Sequence, residues 1–331
     1  VNILLLQLDG KLPNIALMRI SAHHKALGDT VTLRRTGQPE QLSLWDERFD
    51  RVYGSLIFER TRPVAQRLLE VRPDAVIGGT GWDISATLEQ HGITTLEQDY
   101  SAYPRYSDSI GFTQRGCRLK CSFCVVPRKE GSIRQEKTVA EIYRGESYPR
   151  HIVLLDNDFF GQPEWQARID EIRGGDFKVS FNQGINVRFI TEESAAAIAS
   201  VKYFDDNFRD RRIYTAWDNR KDEKRLFAGL NLLVKHGVSP RSIMVYMLIG
   251  FWPGETEEDW LYRAGQLRTF GALPYPMPYV RTPLTVGFQR WEVGSYARRG
   301  ISWQDFKQAN CQPRQLNRFT DGNLFPMEEI A

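Results

Sequence analysis

Between Ser109 and Val280 short apolar runs alternate with helical patterns, a rhythm that few architectures accommodate. The strand candidates are Ser109–Gln114, Ile152–Leu155, Lys178–Gln183, Arg212–Ala216, Ser242–Ile249 and Leu273–Val280. Helical spacing recurs at Thr138–Arg144, Pro163–Ile172, Thr191–Ser200, Asp222–His236 and Thr256–Phe270. Strands interleaved with helices pair in parallel through right-handed crossovers, so this region reads as α/β, open or curled. Six such units fall short of the eight that close a TIM barrel. The last run, Leu273-Pro-Tyr-Pro-Met-Pro278, lacks every second amide donor, which assigns it to a sheet edge or an irregular end.

The preceding residues show the same alternation on a smaller scale. Strands are expected at Val1–Leu8, Thr30–Leu33, Arg51–Ile57 and Pro73–Gly79, with helices at Pro13–Leu27 and Thr61–Val71. That order implies a doubly wound parallel sheet, whose ligand crevice lies outside the carboxyl ends of the strands. Gly78-Gly-Thr-Gly-Trp82 falls there, although an unliganded strand-to-helix turn explains so short a glycine run better. His23 and His24 read as helix-surface residues, since no second ligand pair accompanies them. A polar, tyrosine-rich linker from Glu97 to Arg105 then divides the chain into residues 1–100, residues 101–282 and an extension at 283–331.

The 331 residues suffice for two cores, and 41% hydrophobic with 26% charged residues is ordinary for a soluble globular protein. Apolar runs such as Ile3–Leu6 are too short to span a bilayer, and the N-terminus lacks the pattern of a secretory leader. With four cysteines, three of them clustered, reduced thiols and a cytoplasmic setting are expected rather than a disulfide framework. A net charge of +3 does not announce nucleic-acid binding.

The three clustered cysteines follow the first strand of the larger region, in Gly116-Cys-Arg-Leu-Lys-Cys-Ser-Phe-Cys124. Three thiolates cannot close a four-coordinate structural zinc site, and neither Cys311 nor His151 stands at ligand spacing. Three ligands on a 4Fe-4S cluster would leave one iron open to a small molecule. Zinc or redox regulation remain the alternatives. Cys117-x-x-x-Cys121-x-x-Cys124, with the aromatic Phe123 before the last cysteine, resembles the signature of the radical S-adenosylmethionine (radical SAM) superfamily. The resemblance implies a partial (β/α)6 barrel and SAM bound at the open iron. It also implies reductive cleavage of SAM to a 5'-deoxyadenosyl radical, with electrons from a donor such as flavodoxin or ferredoxin. The first hundred residues resemble the cobalamin-binding-like domain of many members. They lack the Asp-x-His-x-x-Gly motif, because Ser21 stands where the Asp would precede His23.

Ligands of a parallel barrel gather at the carboxyl ends of its strands. Asp156 and Asn157 after the second strand, and Asn182, Gln183 and Arg188 after the third, are the candidates for SAM's amino, ribose and carboxylate groups. The alternatives are a solvated turn at Asn157-Asp158 and a surface pair of Arg188 with Glu192 or Glu193. After the fourth strand come Trp217 and Asp218, a stacking ring with an acceptor or else a core tryptophan beside a helix cap. After the fifth, Gly250-Phe-Trp-Pro-Gly-Glu-Thr-Glu-Glu-Asp259 is similar to a Gly-Phe-Pro-Gly-Glu-Thr-x-x-Asp run of the same superfamily, with Trp252 inserted. Ile249 and Gly250 are the adenine-side candidates.

Arg281, Arg290, Trp291, Arg298, Arg299, Trp303, Lys307, Arg314 and Arg318 make the tail basic and aromatic. Such interleaving can bind nucleic acid by phosphate contact and stacking, but more often it is a solvated helical face over an aromatic core. Three functions therefore stay in view: a radical SAM enzyme acting on an unidentified substrate, its cobalamin-dependent methyltransferase variant, and a non-catalytic metal- or redox-sensing protein that binds nucleic acid.

Overall fold

The structure, a computed structural model, describes residues 1–36 and 49–311. Among the described residues the chain packs as two units, one formed by Val1–Ser107 with Cys124–Gly131, the other by Asp108–Phe123 with residues 132–311.

In the first unit, β1 (Asn2–Gln7), α1 (Ile15–Ala26), β2 (Thr30–Arg35), β3 (Arg51–Ser55), α2 (Arg62–Val71) and β4 (Val76–Gly78) build a parallel sheet in the order β2-β1-β3-β4. Both faces are covered, as the nearly continuous apolar run of β1 requires. Leu4, Leu6, Val52 and Ile77 pack with Ala65 and Leu68 of α2, while Ile3, Leu5 and Tyr53 pack with Leu17 and Ile20 of α1.

The turn after β4 is bound to backbone, not arranged around an open crevice. A Cβ on Gly79, whose φ is +104°, would lie 2.1 Å from the Leu56 carbonyl oxygen, and one on Gly81 would lie 2.5 Å from the Phe58 carbonyl carbon. Gly79→Ala is therefore expected to cost about 2–3 kcal/mol through strain and overlap. A lower urea midpoint at unchanged slope would check it.

His24 corrects the surface assignment. It is buried, with Nδ1 2.7 Å from Asp29 Oδ2 and Nε2 3.0 Å from the Tyr53 hydroxyl. Neither ring nitrogen is left for a metal.

The second unit begins with β5 (Ser109–Gly111), β6 (Gln114–Arg115) and, beyond the short helix α3 (Val126–Lys129) that packs in the first unit, β7 (Arg134–Gln135). It continues with α4 (Val139–Ile142), β8 (His151–Leu154), α5 (Trp165–Gly174), β9 (Lys178–Phe181), α6 (Glu192–Ser200), β10 (Lys202–Tyr203), β11 (Ile213–Ala216) and α7 (Glu223–Lys235). Then follow β12 (Ile243–Ile249), α8 (Glu257–Phe270), β13 (Leu273–Pro278), α9 (Pro283–Val293) and α10 (Trp303–Asn310). Two parallel sheets result, β10-β9-β8-β5 and β11-β12-β13, and the Ile185 amide donates to Tyr214 O at 2.8 Å where β9 runs out beside β11.

Strand parity separates two faces. Ile152, Val179, Phe181, Ile213, Val245 and Met247 join the helices in one continuous core. The alternate positions, among them Ile110, Val153 and Ser180 in register across β5, β8 and β9, turn to the other face. Tyr246 and Tyr275 are paired there across β12 and β13, and the Tyr214 ring stacks on Tyr246 at 5.7 Å.

The prolines of β13 sit at Pro274, Pro276 and Pro278, while Tyr279 N bonds Ile249 O at 2.9 Å. The missing donors thus fall on the side away from β12, which is why the edge tolerates them. Among the described residues no helix is long and apolar enough to cross a membrane.

Candidate functional site

The expected first strand of the larger region is broken in two. After β5 the chain kinks at Phe112-Thr113 and re-forms as β6, which pairs antiparallel with β7 through Gln114↔Gln135 and Arg115↔Arg134. That hairpin base closes a long loop whose first half carries the cysteines. Gly116 begins it with a φ of +81°, a conformation that favours glycine.

Cys117, Cys121 and Cys124 are all partly buried, and Cys117 Sγ accepts the Leu119 amide at 3.3 Å. Phe123 meets Phe251 edge-on at 5.6 Å and Trp252 at 6.5 Å, so the residue before the last cysteine packs on the segment that follows β12. Farther along, Lys129 at the end of α3 donates to Thr80 Oγ1 at 2.6 Å within the first unit.

The carboxyl end of β8 serves this loop. Asp156 is buried, and its Oδ1 accepts the amides of Thr113 at 2.7 Å and Gln114 at 3.3 Å, while Oδ2 accepts the Thr113 hydroxyl. Asp158, also buried, pairs through Oδ2 with Arg118 Nε at 2.9 Å. The solvated turn is therefore excluded at Asp158, and Asn157 between the two acids is half-buried. Sequence spacing gave no warning of Thr113 or Arg118 as partners.

Burial raises the Asp156 carboxyl from the ordinary 3.8 to about 7, against the opposing hydrogen bonds from Thr113 and Gln114. A carboxyl held above its unfolded value adds stability below pH 3.8 and loses it as pH rises through about 7. Asp156→Asn keeps the carbonyl acceptor and cannot ionise. We expect it to remove a decline of a few kcal/mol in unfolding free energy between those pH values, readable by urea titration across pH.

At the end of β9, Asn182 is 4% exposed and its side-chain amide nitrogen has no partner. Gln183 is half-buried. Arg188 is committed elsewhere: its Nη1 pairs with Asp222 Oδ2 at 2.7 Å and its Nε donates to Asn186 Oδ1 at 3.0 Å. The alternative partners Glu192 and Glu193 do not take it either, and Glu192 holds Lys235 and His236.

After β11, Trp217 is fully buried in the core, with Nε1 donating to Asn219 O at 2.9 Å, which removes it as a stacking ring. Asp218 falls on the other parity, with Tyr214 and Ala216. Burial raises its carboxyl from 3.8 to about 6, while Arg188 and Arg263 pull it down.

The segment after β12 is held from below. Ile249 is fully buried in the helix-side core and its carbonyl accepts Tyr279 N, so its side chain is not available to an adenine ring. Gly250 is exposed, with a φ of +74° and its amide donated to Glu255 Oε2 at 2.7 Å. Glu255 in turn pairs with Arg263, which is 1% exposed and donates to Trp217 O and Leu248 O at 2.9 Å each. The inserted Trp252 donates Nε1 to Asp218 O at 2.7 Å, tying the fifth strand end to the fourth. Thr256 and Asp259 form a complete capping box on α8. Arg263 went unnoticed in the sequence, although a cation inside the apolar stripe Trp260, Ala264, Leu267 signals a buried partner.

Three buried polar side chains on the face away from the helices lack partners: Ser180 Oγ, Asn182 Nδ2 and the Tyr246 hydroxyl. Buried polar atoms are seldom left unpaired, so these fit a bound molecule or ordered water. In the first unit the polar groups at the strand ends are instead spent internally. Gln7 Nε2 donates to the carbonyls of Asp9, Gly10 and Leu12, and Asp9 accepts the amides of Ile57 and Phe58.

Among the described residues no group of three or more His, Cys, Asp or Glu side chains is arranged as a metal site, the three cysteines included. The tail's tryptophans, Trp291 and Trp303, are buried with Phe288 and Phe306, and Lys307 pairs with Glu257. Arg314 and Arg318 lie outside the described residues. Comparison with family models, curated proteins and solved structures finds no match.

Proposed function

We propose that the chain is a radical SAM enzyme whose Cys117, Cys121 and Cys124 hold a 4Fe-4S cluster. The reading is carried by the cysteine spacing, together with the packing of Phe123 on Phe251 and Trp252. Two parallel sheets, β10-β9-β8-β5 and β11-β12-β13, with the Ile185 amide bonded to Tyr214 O between the end of β9 and β11, support a six-unit partial barrel. The donor set suits the cluster, with three thiols in one loop and a backbone amide already directed at Cys117 Sγ.

When bound, the cluster with SAM supplies reductive cleavage to methionine and a 5'-deoxyadenosyl radical, which abstracts hydrogen from the substrate. The chain's own contribution is placement. Asn182 offers an unpartnered amide donor at the third strand end, and Gln183 stands beside it. Asp218 supplies an inward acceptor at the fourth, and Gly250 lets backbone approach the ligand without a Cβ at the fifth. Ser180 and the Tyr246 hydroxyl are left for the substrate side. An electron donor such as flavodoxin or ferredoxin and a reducing, cytoplasmic setting complete the proposal.

Cobalamin forms no part of it. The strand ends and glycine turn of the first unit are satisfied by their own backbone, and His24 is engaged by Asp29 and Tyr53. A nucleic-acid-binding, non-catalytic role is disfavoured by the burial of Trp291 and Trp303, which leaves those rings unable to stack on bases.

The test is anaerobic reconstitution with iron and sulfide, then dithionite and SAM. Release of 5'-deoxyadenosine is expected. Iron-loaded protein that yields none, and whose cluster spectrum ignores SAM, would sink the reading.

A further inference from the structure

Asp156 and Asp158 are two residues apart, and each grips the chain near the cysteines at a different point. Asp156 takes Thr113 and Gln114, just before the loop leaves the hairpin. Asp158 takes the Arg118 guanidinium at 2.9 Å, and its Oδ2 lies 3.4 Å from the Arg118 amide, immediately after Cys117. Only Arg115, Gly116 and Cys117 lie between the grips.

The surroundings are built to keep both in place. Gln162 Nε2 donates to Thr113 Oγ1 at 3.0 Å, so the hydroxyl's own proton is left for Asp156. A Cβ on Gly161 would lie 2.3 Å from Asp158 Oδ2 and 2.6 Å from its Cγ, so the bare glycine makes room for the carboxylate. Carboxylates bonded to charged or amide donors in buried surroundings are costly to release, because the acceptor would be left unsatisfied.

We infer that Asp156 and Asp158 are positioning residues, a two-point clamp that fixes the chain on either side of Cys117 before any cluster binds. The inference rests on the radical SAM reading for its purpose, but the clamp itself is a property of the metal-free chain. Within the clamp Asp156 Oδ1 takes two amides and Oδ2 takes the Thr113 hydroxyl.

The experiment is hydrogen exchange on chelator-treated, full-length protein, followed through peptides covering 112–122, with β1 and α7 peptides as controls. In the wild type the amides of Thr113, Gln114 and Arg118 should exchange at least tenfold more slowly than in Asp156→Ala or Asp158→Ala, with the control peptides unchanged. Should either alanine variant unfold, Thr113→Val and Gly161→Ala loosen the two grips from the partner side and should give the same local loss. Exchange in 112–122 that is equally fast in the wild type and all variants overturns the clamp.

A second reading separates positioning from bulk stability. After reconstitution and desalting, Arg118→Met should retain less than half the wild-type iron and give an altered reduced-cluster EPR spectrum. Arg118→Lys keeps a charge for Asp158 and should restore both. Equal iron and identical spectra in wild type and Arg118→Met would refute the positioning role. Failure of the radical SAM reading leaves a different mark, since protection in 112–122 would persist while no 5'-deoxyadenosine forms.

Discussion

Arg263→Met is expected to cost about 3–5 kcal/mol of stability, the range found when one partner of a buried ion pair is removed. The guanidinium is almost fully enclosed and holds three acceptors at once: Trp217 O, Leu248 O and the Glu255 carboxylate. Methionine matches its stem in length but leaves the Glu255 charge, itself 7% exposed, without its partner. Two strand-end carbonyls lose their donors as well. Because the total for a domain is about 5–15 kcal/mol, such a loss should lower the urea midpoint by a large fraction of its wild-type value. The double variant Arg263→Met with Glu255→Gln removes the orphaned charge and should recover part of it. A single variant that unfolds at the wild-type midpoint would show the triad to be incidental.

The same triad shows where sequence reading stopped. Repeated apolar runs followed by helical spacing made the parallel pairing in both units legible, because side-chain periodicity is a local property of the chain. The alternating prolines of β13 likewise announced an edge, since a missing donor must face no neighbour. Contacts between strand ends were not legible in this way. Asp156 and Arg188 looked like ligands for a small molecule because each follows an apolar run, yet Asp156 serves Thr113 and Gln114, and Arg188 serves Asp222. Their partners lie 43 and 34 residues away in sequence, and no spacing rule relates them. Ile249 failed for a simpler reason: strand parity sends it to the helix side, and a strand's last residue can face either way.

Asn182 and Asp218 stand differently. Both follow their strands on the inward parity, Asn182 with an unpartnered side-chain amide nitrogen and Asp218 with a carboxyl that burial raises to about 6. What separates these from Asp156 and Arg188 is hydrogen-bond satisfaction, which only the folded chain displays.

Replacing Cys117, Cys121 or Cys124 singly by serine is expected to abolish stable iron loading and to lower 5'-deoxyadenosine release more than 100-fold, while Cys311→Ser leaves both near wild type. A cluster with one open iron has no spare ligand, so each of the three should count fully, whereas losing one of several redundant thiols would leave partial loading. Serine preserves size and hydrogen bonding but not the soft thiolate that iron requires. Cys311 differs in its surroundings. It follows α10 and abuts Gly287 of α9, where a Cβ would come within 2.2 Å of its sulfur. Burial pushes its thiol up from 9.0, away from the thiolate that acts as ligand or nucleophile. Iron and sulfide stoichiometry measured beside SAM turnover checks the pattern. If Cys311→Ser lost the iron while a variant of the trio kept it, the assignment of the three clustered cysteines would have to be abandoned.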